Sequence, residues 1–239
     1  MPKTVTSQGR LAAFVSGPIA DFLKEQGFAK AGRVFRRVAP NDDLLVISFM
    51  IDSSGRYLEG ETVFVVEVSV MPPLFLKFSS DKLDITPPRK PGTMYGMWRS
   101  CIRPAAIPTD PEGKPLWPYM AFRFMPGTDE ATCRDAVLEQ LKPGLDFMGQ
   151  LLDHSFWLEL VDGWHKEMSY PSLWGPRAQT ILLLPLGPSD ALLSALQECE
   201  KIGDCFTVDW SILEMKAGGY DVPDYEAIRG QRASGAPQA

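Results

Sequence analysis

The stretch RLAAFVSGPIADFLKEQGFAKAGRVFRRVAPNDDLLVISFMIDSSGRYLEGETVFVVEVSVM, Arg10 to Met71, decides the fold. It opens with Leu11, Phe14, Val15, Ile19, Phe22 and Leu23. Their spacings of three and four share one side of a helix that turns every ~3.6 residues, and that side must be buried. Pro18 has no amide hydrogen and would clash with the carbonyl of Phe14, so Gly17-Pro18 predicts a kink or a fresh start. Gly27, after Gln26, suits the left-handed residue that closes a helix, and Phe28 suits the apolar contact that accompanies such a cap. Val34 to Val38 reads as a strand. Asn41-Asp42-Asp43, after Pro40, reads as a turn through side chains that bond their own backbone. Leu44 to Ile51 and Thr62 to Val70 are dense in β-branched and aromatic residues. In the latter, Thr62, Phe64, Val66, Val68 and Val70 make a dry face, and Glu61, Val63, Val65, Glu67 and Ser69 a mixed one. Strands joined by short turns pair antiparallel, so the expected fold is α+β: an antiparallel meander with the opening helix on its apolar face, against Phe64 and Val66.

Working outward, Met71 to Thr93 is rich in proline and predicts a long surface excursion in which only Leu74 to Phe78 is buried. Met94 to Arg103 predicts a fourth strand. Trp98, Ser100 and Ile102 would share one face, and Met97, Arg99, Cys101 and Arg103 the other. A second Pro-rich loop, Pro104 to Pro118, leads to Tyr119 to Phe124 as a fifth strand. Thr128 or Asp129 would cap a helix from Glu130 to about Leu141, ended by Pro143-Gly144, with a second short helix at Leu145 to Leu152. Phe156 to Trp174 carries no clear local signal. Ile181 to Leu186 reads as strand, and Ser189 caps a helix from Asp190 to Ile202. Phe206 to Met215 either returns to the sheet or forms a short helix. From Ala217 onward the composition predicts a frayed tail. The expected organisation is one domain over residues 1–216, with helix and sheet in 1–125, a mainly helical 126–216, and a flexible 217–239.

With 239 residues, 45% of them hydrophobic, the chain can bury a full core, which excludes disorder of the whole. No segment approaches the roughly 18 apolar residues of a membrane span, and Met1 to Arg10 lacks the order of a signal peptide, so a cytoplasmic location and no membrane partner are expected. The four cysteines, Cys101, Cys133, Cys199 and Cys205, are then reduced thiols. Residues 1–120 carry 15 Lys/Arg against 12 Asp/Glu, and residues 121–239 carry 9 against 18, so the halves stand at +3 and −9. The acidic second half argues against nucleic acid and for solubility or a basic partner.

FLKEQGFAKAGRVFRR at Phe22 to Arg37, followed by the strands at Leu44 and Val63, resembles a bacterial family of uncharacterised proteins known as domain of unknown function 4304. The shared pattern is an N-terminal helix, a Gly-Phe step with a basic turn, an aromatic followed by Arg, and then alternating strands. Here it falls on Gly27, Phe28, Lys30, Phe35, Arg36 and Arg37. The likeness covers about the first 75 residues, and beyond them only MWRSCIR and the LKPGLDF stretch look familiar. The resemblance implies a fold and a bacterial origin, with no catalytic residues attached.

The chemical motifs are few. His154 and His165 stand eleven apart, and Cys199 and Cys205 six apart, which are not zinc-chelate spacings, so no metal and no cofactor are expected. No nucleophile elbow, papain-like Cys context or Gly-rich phosphate loop occurs. Asp153, Glu159 and Asp162 surround the histidines, where hydration is the plainer reading. The most pointed polar feature is Arg36 or Arg37, Glu67, Arg99 and Arg103 among apolar neighbours on the strands. Covered by the Pro-rich loops, this set would line a groove suited to an anionic ligand, Arg matching carboxylate or phosphate. Left in water, it would form cross-strand ion pairs. Trp98, Trp117 and Tyr119 are candidate interface residues, with core packing as the competing use. The expected function is therefore a protein-binding module of the immunity or adaptor kind. An enzyme or small anionic-ligand binder on the Arg/Glu face is the alternative.

Overall fold

The structure, a computed structural model, describes residues 6–53, 58–83, 89–105, 112, 120–167 and 174–234. The chain divides into two compact units, one of residues 1–76 and 87–152 and the other of 77–86 and 153–239.

In the first unit the opening helix is two helices, α1 (Ser7–Val15) and α2 (Pro18–Glu25), parted at Gly17, whose φ of 107° only glycine adopts readily. Pro18 stands at the start of α2, where its missing amide hydrogen costs nothing. Leu11, Phe14, Val15, Ile19 and Leu23 are buried, each contributing on the order of 1.5–3 kcal/mol by leaving water. After α2, the amide of Phe28 donates to the carbonyl of Leu23 and that of Gly27 to Lys24, both at 2.9 Å, while Gly27 takes a φ of 82°. This closes the helix in a left-handed cap with Phe28 buried beside it.

The strands β1 (Ala29–Ala31), β2 (Val34–Val38), β3 (Leu44–Ile51), β4 (Thr62–Met71) and β5 (Trp98–Ile102) pair antiparallel in sequence order. A sixth, β6 (Ala121–Phe124), lies on the same edge of β4 as β5. Ile102 pairs with Val66 and Ala121 with Val65, so β6 resumes the line of β5 at the next rung of β4. The α+β meander is thus as the sequence reads. Phe14 of α1 lies 5.3 Å from Phe64 and 4.5 Å from Phe124, ring centre to ring centre, which seats the opening helix on the dry face. The same face receives α4 (Glu130–Gln150), through Trp98 against Phe147 at 5.3 Å.

Several local expectations are overturned. Leu74 to Phe78 belongs to a helix, α3 (Pro73–Leu83), through which the division between the units runs. β5 begins at Trp98, because Thr93–Tyr95 winds into a 3₁₀ turn. Pro143-Gly144 does not end α4: Leu141 and Met148, both fully buried, lie on either side of it and hold one continuous helix, while Pro143 is exposed. Gly144 has a packing role, since a Cβ there would come within 2.9 Å of Ile102 Cδ1.

The second unit contains α5 (His154–Glu167), α6 (Trp174–Leu183), α7 (Asp190–Lys201), α8 (Cys205–Ala217) and α9 (Pro223–Ser234). Ser189 Oγ accepts from Leu192 N at 3.2 Å and starts α7 as its sequence indicates. Ile181 to Leu186 is the end of α6 and a 3₁₀ turn, not a strand; Ile181, Leu182 and Leu184 are buried. A short apolar run suits a buried helix as well as a strand, and helical neighbours decide it here. Phe206 to Met215 lies within α8. Where the composition predicts a frayed tail, Val222, Tyr225 and Ile228 are buried and fasten α9.

Candidate functional site

The antiparallel register brings the mixed-face residues into rows. One runs Ala29, Arg36, Val46, Ser69, Arg99, and the next Ala31, Val34, Ser48, Glu67, Cys101. Residues 89–97 cross this face as a strap. Arg36 donates from Nε to the carbonyl of Pro91 at 2.9 Å and from Nη2 to that of Lys90 at 3.1 Å. The Thr93 hydroxyl donates to Glu67 Oε2 at 2.6 Å, and Thr93 is buried. Met97 N–H donates to the carbonyl of Val70 at 3.1 Å. At Gly96 the strap passes so near the sheet that a Cβ would lie 2.5 Å from Ser69 Cβ and 2.7 Å from the Trp98 carbonyl oxygen.

The structure therefore brings Arg36, Glu67 and Arg99 together under or beside one Pro-rich segment. Arg99 Nη2 stands 3.6 Å from Glu67 Oε1, and its side chain is half exposed. Arg103 follows the end of β5 and is exposed. Burial lowers the Arg36 guanidinium from its ordinary range, although it remains a cation. Burial pushes the Cys101 thiol up, and the Glu67 carboxylate adds to this against the opposing pull of Arg103 and Arg99. A thiol held protonated is a poor nucleophile. Trp98 turns to the other face, against Phe147. Trp117 and Tyr119 lie outside the described residues. Thr93 has no motif around it in the sequence, and the preceding Gly92 is its one local signal.

Arg37 of the Phe-Arg-Arg run has a different use. Its Nη1 donates to the carbonyl of Gln26 at 3.0 Å, its Cζ lies 5.1 Å from the centre of the Phe28 ring, and its Cδ would meet a Cβ on Gly27 at 3.3 Å. The Gly-Phe step and the second arginine form one helix cap.

The second unit has its own polar centre. Arg177 donates to Asp204 Oδ2 from Nε and lies within 2.8 Å of it through Nη2, while Thr207 Oγ1 donates to the same oxygen at 2.6 Å. All three residues are buried. Phe78 packs over the group, its ring centre 5.5 Å from Arg177 Cζ and 5.7 Å from Lys82 Nζ. Burial first, and then the Arg177 charge, lowers the Lys82 ammonium from its usual value. Asp81 accepts from Trp210 Nε1 at 2.8 Å, which holds its carboxyl below the usual range. Among the described residues no group of three or more His, Cys, Asp or Glu is placed to hold a metal ion. No helix among them is long and apolar enough to cross a membrane.

No family model, no curated protein and no solved structure matches the chain.

Proposed function

We propose that the chain is a protein-binding module, of the adaptor or immunity kind, whose partner presents a basic surface. The observation that carries this reading is the segregation of charge by unit. Residues 77–86 and 153–239 carry 8 Lys/Arg against 15 Asp/Glu, a balance of −7, whereas the sheet-bearing unit carries 16 against 15. The acidic unit also exposes Leu186, Leu213 and Tyr220. Large exposed apolar side chains among like charges suit a partner that supplies both cover and countercharge. Affinity purification of the tagged full chain from its source cells is expected to return a basic protein in stoichiometric amount, released as salt rises. Return of no such partner at low salt would overturn the reading.

The alternative is a small anionic ligand on the sheet face, supported by Arg99, whose side chain is half exposed. It is weakened at Arg36, where two donors already satisfy strap carbonyls. Calorimetric titration with phosphate and citrate separates the two: saturable uptake lost in Arg99→Ala favours the ligand. The resemblance of Phe22 to Arg37 to the uncharacterised family bears on fold and on a bacterial source, and adds nothing to either activity.

A further inference from the structure

Resting on the protein-binding reading, we infer that the partner docks on a ledge in the second unit made by Leu186, Gly187 and Tyr220, and that it does so with a segment joining Lys or Arg to an apolar side chain. The ledge is built from two turns fixed to each other. The first is the 3₁₀ turn Leu184–Leu186 with Gly187, whose φ is 84°. The second follows α8, where Gly219 N–H donates to the carbonyl of Lys216 at 2.9 Å and Tyr220 N–H to that of Met215 at 3.1 Å. The hydroxyl end of Tyr220 rests on Gly187, so that a Cβ there would stand 3.1 Å from Tyr220 Oη. Tyr225 completes the joint: its hydroxyl accepts from Ser189 N–H at 2.8 Å and donates to the Ser189 carbonyl at 3.0 Å.

On this fixed base Leu186 is 74% exposed and Tyr220 46% exposed. A leucine and a tyrosine held open to water by locked turns lose little freedom when a partner covers them, which is how a preorganised contact gains affinity. The rim is acidic. Asp190 follows Ser189, Asp221 follows Tyr220 and Asp224 precedes Tyr225, and all three are exposed. Lys216, the nearby cation on α8, is paired with Glu226. A second copy of the chain would bring like charge against like charge, and phosphates of nucleic acid or anionic lipid would be repelled in the same way. A basic, partly apolar peptide segment meets both the charge and the apolar surface.

The test uses a random peptide display library selected on the immobilised full chain. Selected peptides are synthesised with a fluorescent label and titrated against variants. Enrichment of Lys/Arg with Leu or an aromatic is expected. Leu186→Ser should weaken binding roughly tenfold, and Asp221→Asn with Asp224→Asn should weaken it several-fold and flatten its salt dependence. Leu58→Ser, an exposed apolar control in the other unit, should leave it unchanged. An unchanged unfolding midpoint for Leu186→Ser shows that the fold is intact. Basic peptides that bind regardless of Leu186 would remove the ledge and leave the protein-binding reading standing. A neutral or acidic consensus, or self-association abolished by Leu186→Ser, would overturn the basic partner. No selectable peptide, together with no stoichiometric cellular partner, would remove both.

Discussion

Among the described residues the arginines act largely on the chain itself. Arg10 donates to the Thr62 hydroxyl at 2.8 Å and to the Glu61 carbonyl at 3.2 Å, tying α1 to the start of β4. Arg36 holds the strap, and Arg37 caps α2. A guanidinium is suited to this because its donors are fixed in one plane and stay charged when partly dried. Arg177 is buried, and it has the sharpest consequence. Removing Asp204 alone leaves its cation without the carboxylate that offsets burial, and Asp204→Ala should destabilise the second unit by about 3–5 kcal/mol. Replacing both partners, Arg177→Met with Asp204→Leu, should recover most of that loss, because the desolvation penalty disappears with the charges. Urea unfolding of the two variants measures this, and a double variant no more stable than Asp204→Ala would refute it. Neither residue is distinguished in the sequence. They stand 27 positions apart, and only the packing of α6 against α8 makes them a pair.

At the scale of elements, the β-meander and the opening helices were legible because their signals are local and repeated. Alternation along Thr62 to Val70 fixes two faces, and Leu11, Phe14 and Val15 fix the side that meets them. The turn at Asn41 is equally local: its Oδ1 accepts the Asp43 amide at 3.2 Å, as an Asn side chain in a turn does. Long-range packing defeated the reading at Pro143-Gly144. Both residues disfavour helix interiors, but burial of Leu141, Met148 and Leu151 outweighs that local preference. Gly144 then permits the helix to approach Ile102. Gly144→Ala should therefore destabilise by about 1 kcal/mol despite alanine's better helix propensity, through overpacking against Ile102. Ile102→Val in that background, which removes Cδ1, should recover the loss, as a double-mutant cycle would register. Gly96→Ala should be worse, since one atom it meets is the backbone oxygen of Trp98, which cannot move aside. Faster hydrogen exchange over residues 89–97 should report the strap lifting, whereas Gly92→Ala, with open space around it, should change nothing there.

For the whole molecule, the candidate site was half legible. Arg36, Glu67 and Arg99 were recognisable as polar residues on strands, yet only the register shows that Arg36 and Arg99 share a row and that a strap occupies Arg36. The ledge was not legible at all, because Leu186 looks like any core leucine until the turn after α6 leaves it outside. One cysteine in each unit has the same measurable property. Burial pushes Cys133 in the first unit and Cys199 in the second up to about 12, from an ordinary value of 9.0. The folded chain holds both as thiols while the unfolded chain ionises them, so their contribution to stability is fully present below pH 9.0 and is lost progressively as pH rises toward about 12. In that window each thiol removes about 1.4 kcal/mol of stability per pH unit. The urea midpoint should consequently fall from pH 9 upward, and Cys133→Ala and Cys199→Ala should each start lower, from the cavity left behind, but decline less steeply. Alkylation by iodoacetamide near pH 8 should modify neither thiol until urea unfolds the unit that contains it. A midpoint unchanged between pH 9 and pH 11, or rapid labelling of both thiols in the folded chain, would show that these sulfurs are not held dry.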